Sequence, residues 1–173
     1  RYGACMMLPS RLALLLLVVL ATTLGGCASR PRDTWLGPVE AQMPVGQVHP
    51  IFVATTRELN SAPGVYYTSA RSQQLSYARI DVSVPPTHKP GQIEWPKTRD
   101  ADPAKNFAVR DAELIAADQS FLNALNAELA KRPPGKRRVS IFIHGYNNTF
   151  GEGLYRTAQL AADSKGFAVP VYF

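Results

Sequence analysis

Hydrophobic positions change their spacing along the chain, and each spacing predicts a different type of element. Residues 51–56 form a continuous apolar and β-branched run, and apolar residues at 75–85 partly alternate with polar ones, so both segments predict strands. A shorter apolar run at 107–109 predicts a third strand. The segments 57–74 and 87–106 are interrupted by Pro, Gly and Ser, which predicts loops.

Helical spacing first appears after these strands. Four apolar residues recur at a helical period on one face: Phe121, Leu122, Leu125 and Leu129. The run Pro133-Pro134-Gly135 ends this predicted helix. Residues 112–117 are a candidate extension of the helix toward its amino end.

The last part of the chain predicts a strand-helix-strand unit. Residues 139–143 form an apolar strand, and 150–165 have helical periodicity. Thr149 and Glu152 have the spacing of a capping box, in which each side chain bonds the backbone of the other residue. Residues 167–173 predict a final strand, so the unit implies parallel strands joined by a right-handed crossover.

The amino-terminal segment predicts a signal peptide rather than a part of the fold. Arg11 supplies a positive charge before an apolar core at 12–20, which is too short to span a bilayer as a helix. The run Leu24-Gly25-Gly26-Cys27 resembles the lipobox of bacterial lipoproteins, in which the Cys is lipidated and becomes the new amino terminus. We expect residues 1–26 to be removed, with 1–5 upstream of the true start. An ordinary secretory signal with an incidental Cys is the alternative.

The resemblance to a lipoprotein predicts where the chain is located. Lipidation of Cys27 implies attachment to a bacterial membrane in the cell envelope, and Ala28 at the next position implies sorting to the outer membrane, facing the periplasm. Residues 27–50 contain several Pro and Gly without sustained periodicity, which predicts a flexible tether. The folded domain is expected at 51–173. Cys27 is the only cysteine left after processing, so no internal disulfide is predicted.

Composition and charge narrow the classes of function. The chain has 173 residues, of which 46% are hydrophobic and 18% are charged, which suits one globular domain with an apolar leader. The formal charge is +6, but the basic residues are scattered apart from 136–138, so no nucleic-acid interface is predicted. His49, His88 and His144 show no ligand spacing, and we predict neither a metal site nor a cofactor.

The turn after residues 139–143 carries the candidate chemistry. In His144-Gly145-Tyr146, Gly145 allows the backbone to turn sharply, so that the N–H of Tyr146 can face a cleft instead of joining a strand. A donor in this position can form one half of an oxyanion hole, which stabilises the negative charge that develops during acyl transfer. A generic turn between a strand and a helix is the alternative interpretation.

The side chains around this N–H have less specific interpretations. His144 is interpreted chiefly as a structural residue that bonds the turn, with substrate contact or general base as alternatives. Asn147 and Asn148 either bond substrate or cap the turn, and capping is favoured because Asn often bonds nearby backbone. The side chain of Tyr146 either lines an acyl pocket or packs on the following helix.

These motifs together resemble an α/β-hydrolase family of the esterase/lipase superfamily, long catalogued as a domain of unknown function. The most specific block is 141–150, which contains His144-Gly145-Tyr146-Asn147. The match continues at 155–156 and 158–161, and weaker matches lie at 53–57, 75–77 and 82–86. The resemblance spans most of 49–173 and implies an α/β fold, namely the amino-terminal portion of a three-layer sandwich with a mainly parallel central sheet.

The resemblance also implies a nucleophilic Ser in a Gly-His-Ser-x-Gly elbow, then an acid and a His, which together hydrolyse a small-molecule ester or acyl substrate. No Gly-x-Ser-x-Gly occurs in this sequence. Only Tyr146, through its N–H, therefore takes a catalytic role, with Gly145 and His144 shaping the turn. We expect the chain to be the amino-terminal part of such a hydrolase and to be inactive by itself.

Residues 168–173 are expected to be an inner strand beside the strand that bears the nucleophile. The alternative is a small non-catalytic envelope lipoprotein that acts as a binding or structural module.

Overall fold

The computed structural model describes residues 36–39, 46–99 and 101–173. All the described residues belong to one compact unit, Thr34–Phe173. The predicted signal peptide, Cys27 and much of the predicted tether lie outside the described residues.

The described residues contain both strands and helices, as those of an α/β protein do. Their order is β1 (Gln47–Leu59), β2 (Tyr67–Val84), β3 (Ala108–Ile115), α1 (Asp118–Ala130), β4 (Val139–Phe142), α2 (Phe150–Asp163) and β5 (Val169–Tyr172). The strands form one sheet in the order β3-β2-β1-β5-β4. Pairing is antiparallel between β1 and β2 and between β2 and β3, and it is parallel between β1 and β5 and between β4 and β5. The predicted α/β class is confirmed, with a mixed sheet rather than a mainly parallel one.

The two helices cover opposite faces of this sheet. Alternate residues of β1 show the division, because Ile51 and Val53 lie in the buried cluster that includes α2, whereas Phe52 packs on Phe121 of α1. The α2 side continues through other large buried residues: Ile80, Val82, Phe107, Leu154 and Tyr155. The α1 side is completed by Val169 and Val171 of β5. The layers are therefore helix, sheet and helix.

The hairpin of β1 and β2 is longer than the sequence predicts. Most of 57–74, predicted to be a loop, is strand, because pairing continues past two irregularities to Arg57 opposite Arg71 and Leu59 opposite Tyr67. The polar residues of this part of β2 are largely exposed. Backbone hydrogen bonds to a neighbouring strand hold such residues extended even though their side chains favour a loop.

The segment before α1 is also a strand rather than a helix. Residues 112–117 were a candidate extension of the helix, yet Ala112 and Leu114 lie opposite Ile80 and Ala78 of β2. Helix α1 begins only at Asp118. An available partner strand overrides the local preference of Ala, Glu and Leu for helix.

Part of the predicted tether belongs to the folded unit. Leu36 is buried, and its N–H donates to the carbonyl oxygen of Gly64 at 2.9 Å. The N–H of Val39 donates to the carbonyl oxygen of Val109, also at 2.9 Å, and β1 begins at Gln47. The tether prediction is therefore wrong for 36–39 and 47–50, because backbone bonds to the sheet order these residues despite their irregular pattern.

Residues 168–173 were predicted to lie beside the nucleophile strand, but they are not at the edge of the sheet. Strand β5 pairs with β1 on one side and β4 on the other, and its four residues are buried. Strand β4 is instead the edge, and Val139, Ser140 and Ile141 are exposed. Residues 168–173 therefore form an inner strand as expected, but the expectation that the nucleophile strand lies beside them is wrong. A sequence pattern does not indicate on which side of β4 the crossover through α2 returns.

Candidate functional site

The predicted turn lies at the carboxyl end of the edge strand β4. Residues 144–148 connect the end of β4 to Thr149, the residue that caps α2. The parallel strands β1, β5 and β4 all end on this side, so the turn meets residues of the other two strands. The N–H of His144 donates to the carbonyl oxygen of Phe173 at 3.2 Å, just beyond β5.

The turn itself is shaped by its two asparagines. Asn147 has a φ of 60°, a left-handed conformation that Asn adopts more readily than most residues. With its amide nitrogen directed into the turn, Asn148 donates to the carbonyl oxygens of Gly145 at 3.1 Å and Tyr146 at 3.3 Å. Asn148 therefore caps the turn, in line with the favoured interpretation.

Helix α2 starts directly after the turn, and its first residues fix the backbone where the turn ends. The N–H of Glu152 donates to Oγ1 of Thr149 at 3.2 Å, and the N–H of Thr149 donates to Oε2 of Glu152 at 2.7 Å. Both halves of the predicted capping box are present, so this prediction is confirmed. The amino end of α2 also directs the positive end of its dipole toward the turn.

Arg57, near the carboxyl end of β1, contacts the turn through its guanidinium. Arg57 is buried, with only 3% of its surface exposed. Nη2 donates to the carbonyl oxygen of Asn148 at 2.7 Å, and Nη1 donates to that of Thr68 at 3.3 Å. Nη2 also lies 3.3 Å from Nε2 of His144. One buried guanidinium thus joins β1, the start of β2 and the turn.

These contacts determine where His144 carries its proton. Its Nδ1 lies 2.8 Å from the carbonyl oxygen of Gly145, which can only accept a hydrogen bond. A guanidinium can only donate, so Nε2 must accept from Arg57. The ring is therefore neutral with the proton on Nδ1. The lone pair on Nε2 accepts a hydrogen bond from Arg57 and is not available to take a proton from a substrate. This favours the structural interpretation of His144 over the general base.

An aromatic cluster supports the turn and the first turn of α2. The ring of Tyr172 in β5 lies 5.4 Å from Phe150 and 6.2 Å from His144, measured between ring centroids. Gly153 faces this ring, and a Cβ on Gly153 would overlap the Tyr172 hydroxyl and ring. Burial raises the pKa of Tyr172 to about 12, against the opposing charge of Arg57, so the phenol stays protonated at neutral pH. The support of the turn is thus closely packed.

Tyr146 is the most exposed part of this site. Its N–H has no hydrogen-bond acceptor within the part of the chain that the structure describes. Its side chain is 99% exposed and neither lines a pocket nor packs on α2. The backbone of Tyr146, rather than its ring, is therefore the group available to a ligand.

A shallow apolar cavity opens at the same end of the sheet. It has a volume of about 270 Å³ and lies among the ends of β1, β2 and β3. Its apolar lining includes Leu59, Leu75, Tyr77 and Leu114. Leu59 follows Arg57 by two residues on β1, which is about 7 Å of extended strand.

Arg57 is the residue that sequence reasoning left without a role. It was part of the motif at 53–57 but was assigned to a loop. A signal was nevertheless present, since Ile51, Val53 and Thr55 alternate inward along one strand face and Arg57 is the next inward position. An inward arginine at the end of a buried strand requires acceptors, and the carbonyl oxygens of a neighbouring turn are suitable ones.

A comparison with known families gave a match over the last third of the chain. Residues 117–173 match the family described as alpha/beta hydrolase of unknown function (DUF900). The matched segment runs from the residue before α1 through β4, the turn and α2 to β5, so it includes every residue of the turn. The resemblance to this hydrolase family is confirmed there, whereas 49–116 lies outside the match. Neither the comparison with curated proteins nor that with solved structures gave a match.

Two further observations concern ligands and membranes. Among residues 36–39, 46–99 and 101–173, no group of three or more His, Cys, Asp or Glu side chains is arranged to hold a metal ion. Neither α1 nor α2, the helices of these same ranges, is long and apolar enough to cross a bilayer.

Proposed function

We propose that this chain carries part of a serine hydrolase of the esterase/lipase type and that the N–H of Tyr146 is one of its oxyanion donors. The observation that carries the proposal is the turn itself. It places an N–H without an internal partner at the carboxyl end of a parallel strand and at the amino end of α2. The match of 117–173 to an α/β-hydrolase family supports the same assignment.

The position of β4 in the sheet supports a site at this turn. The chain leaves β4, crosses through α2 and returns as β5 on the β1 side. A further parallel strand would have to use the other side of β4, and the direction of the crossovers would reverse there. In open α/β sheets, ligands bind at such a reversal, outside the carboxyl ends of the strands. A nucleophile at the end of that strand would lie one strand spacing, about 4.8 Å, from β4.

The surroundings of Tyr146 explain how its N–H can act. Arg57, Asn148 and the capping box hold the backbone of the turn before any substrate arrives. A donor that needs no reorganisation stabilises developing charge more effectively than a mobile one, and removal of one such donor typically costs about 10²- to 10³-fold in rate. The second donor, the nucleophile, the acid and the base have no counterpart in this sequence.

The experiment that tests this function compares two polypeptides. The chain as given is expected not to hydrolyse p-nitrophenyl esters, because an oxyanion donor alone forms no acyl-enzyme. A polypeptide extended by the coding sequence after Phe173 is expected to contain Gly-x-Ser-x-Gly and to hydrolyse them. Saturable hydrolysis by the chain alone, absent from a mock purification, would contradict the proposal. An extended sequence without the motif would favour the small binding lipoprotein.

We also propose that Cys27 is lipidated and holds the chain at the outer membrane. The lipobox-like Leu24-Gly25-Gly26-Cys27 and the apolar core before it support this location. The several acyl chains of a mature lipoprotein hold a membrane stably, whereas one chain anchors weakly. The test is to express Cys27→Ser and to fractionate the envelope. The proposal is wrong if the variant is processed and stays with the membrane as the wild type does.

A further inference from the structure

A second cluster of polar side chains lies at the carboxyl end of α2, away from the turn. His88 belongs to the segment between β2 and β3, and its Nδ1 lies 2.8 Å from Oε2 of Glu94 in the same segment. Its Nε2 lies 3.0 Å from Oδ1 of Asp163, the last residue of α2. The His88 side chain is 12% exposed. One imidazole therefore joins this loop to the helix that begins at the turn.

The hydrogen bonds of the two carboxylates identify the charge of His88. The second oxygen of Glu94 accepts from the N–H of Lys89 at 3.0 Å. The second oxygen of Asp163 accepts from the N–H of Gly91 at 2.8 Å and also from the amide of Gln159. Each carboxylate thus acts as an acceptor through both oxygens, as an ionised carboxylate does. Both ring nitrogens of His88 must then donate, which only the imidazolium can do.

Helix α2 gains from a cation at this position. The carboxyl end of a helix carries the negative end of its dipole, which disfavours Asp163 there. No basic residue occupies the last turn of α2. The imidazolium of His88 supplies the missing positive charge from another segment of the chain.

We propose that His88, Glu94 and Asp163 form a proton-operated latch. The imidazolium of His88 fastens residues 88–94 to the carboxyl end of α2, and loss of its proton releases this loop from the helix. The amide of Gly91 is released with it, because it bonds Asp163 of the helix, whereas the bond between Lys89 and Glu94 lies within the loop.

The titratable groups that face His88 agree on the direction of the response. Burial by itself lowers the pKa of His88, but the hydrogen bonds and charges of Glu94 and Asp163 outweigh it and raise the pKa above the ordinary value of 6.5. His49 of β1 is the other ionisable neighbour, and burial together with the charge of His88 lowers its pKa. His88 rather than His49 therefore takes the proton. The ring edge of Phe107, 5.4 Å away, adds no charge.

The sign of the effect follows from these directions. A group whose pKa is higher in the closed state than in the open one favours the closed state below the open-state pKa. That advantage is lost as the pH rises through the closed-state pKa. The latch is therefore closed at about pH 6 and opens on the alkaline side. Each unit by which the closed-state pKa exceeds that of the free imidazole corresponds to a tenfold change in the closing equilibrium.

The test follows the three imidazoles of the full chain by nuclear magnetic resonance from pH 5 to pH 9, with amide exchange measured on the same samples. His88 is expected to titrate above 6.5, and Glu94→Gln and Asp163→Asn are each expected to lower its pKa. The protection factor of Gly91, corrected for intrinsic exchange, is expected to fall through the same pH range. Each pKa unit is expected to appear as a tenfold loss of protection.

The amide of Glu152 is the internal control, because it bonds Thr149 at the other end of the same helix. Its protection is expected to stay constant over this range, which distinguishes opening of the latch from unfolding of α2. In His88→Gln, the protection of Gly91 is expected to be low at every pH. A His88 that titrates at or below 6.5, or constant protection of Gly91 through its titration, would overturn the proposal.

Discussion

Each end of α2 is held by a histidine, and the two rings are used in opposite ways. At the amino end, His144 lies between a guanidinium and a carbonyl oxygen, so its ring accepts one hydrogen bond and donates the other. At the carboxyl end, His88 lies between two carboxylates, so its ring donates both. The partners rather than the histidine decide the number of protons on the ring.

The different partners of His144 and His88 give the two ends of α2 different properties. The turn is held by the guanidinium of Arg57, a capping box and packed aromatic rings. The opposite end depends on a group that titrates in this range. A rigid end suits a donor that must be in place before reaction, and a titrating end suits a contact that opens.

The largest expected effect comes from breaking the rigid end at Arg57. Replacement of Arg57 by Met leaves the carbonyl oxygens of Thr68 and Asn148 without their donor in a partly buried setting. Each orphaned group typically costs about 1–3 kcal/mol, so the free energy of unfolding is expected to fall by about 3 kcal/mol. Urea unfolding of the wild type and the variant measures the difference.

Arg71→Met is the matched control for this substitution. Arg71 lies opposite Arg57 in the hairpin but is exposed, and its Nη1 donates to Oγ1 of Thr56 at 3.2 Å. Its loss is expected to change the free energy of unfolding by less than about 0.5 kcal/mol. Equal effects of the two substitutions would show that Arg57 is not the clamp of the turn.

The next largest effect is expected at Gly153, in the first turns of α2. Alanine usually stabilises a helix relative to glycine by about 1 kcal/mol. In Gly153→Ala, however, the new Cβ would overlap the buried hydroxyl and ring of Tyr172, and we expect a net loss of about 2 kcal/mol from overpacking. Calorimetry of the single variants and of the combination with Tyr172→Phe measures the coupling. Stabilisation by Gly153→Ala alone would contradict the close packing.

The contrast between Arg57 and Thr149 also shows what the sequence could predict. The capping box joins residues three apart, so the spacing of Thr149 and Glu152 was sufficient to predict it. Strand β4 and α2 were likewise predicted within a few residues, because their patterns are local. Arg57 meets His144 across a separation of 87 residues, and His88 meets Asp163 across 75. No local pattern indicates such contacts, which arise only when the sheet places the segments together.

The errors in the fold have the same physical origin. The long hairpin and β3 were missed in part because their pairing partners, and not their own side chains, hold them extended. The position of β5 between β1 and β4 depends on the path of a crossover. The periodicity of residues 167–173 predicts a strand and carries no information about its neighbours.

A smaller effect is expected from the cap at the rigid end. Thr149→Ala removes the acceptor for the N–H of Glu152 and is expected to cost about 1 kcal/mol of unfolding free energy. Thr149→Ser keeps a hydroxyl in the same position and is expected to retain most of it. Chemical denaturation of both variants distinguishes loss of the cap from loss of the methyl group, since equal costs would mean that the hydrogen bond does not matter.

The smallest effect is expected from pH, and it concerns the other end of α2. Hydrogen bonds from His88 and the loop amides overcome burial and lower the pKa of Glu94 and of Asp163, so their contribution is lost as the pH falls below about 4. The pKa of His88 is raised, so its contribution is lost as the pH rises above about 6.5. Unfolding free energy is therefore expected to peak between these values. A flat profile in His88→Gln, with the wild type falling on the alkaline side, would assign that loss to the latch.

The most direct test of the central claim is to remove the N–H of Tyr146 and to compare the result with loss of its side chain alone. In the extended, active polypeptide, Tyr146→Pro deletes this donor, whereas Tyr146→Ala keeps it and removes only the exposed ring. With unfolding transitions matched to the wild type, kcat for p-nitrophenyl esters is expected to fall about 10²- to 10³-fold in Tyr146→Pro and to change little in Tyr146→Ala. Equal kcat values for the two folded variants would contradict the assignment of this turn to the oxyanion hole.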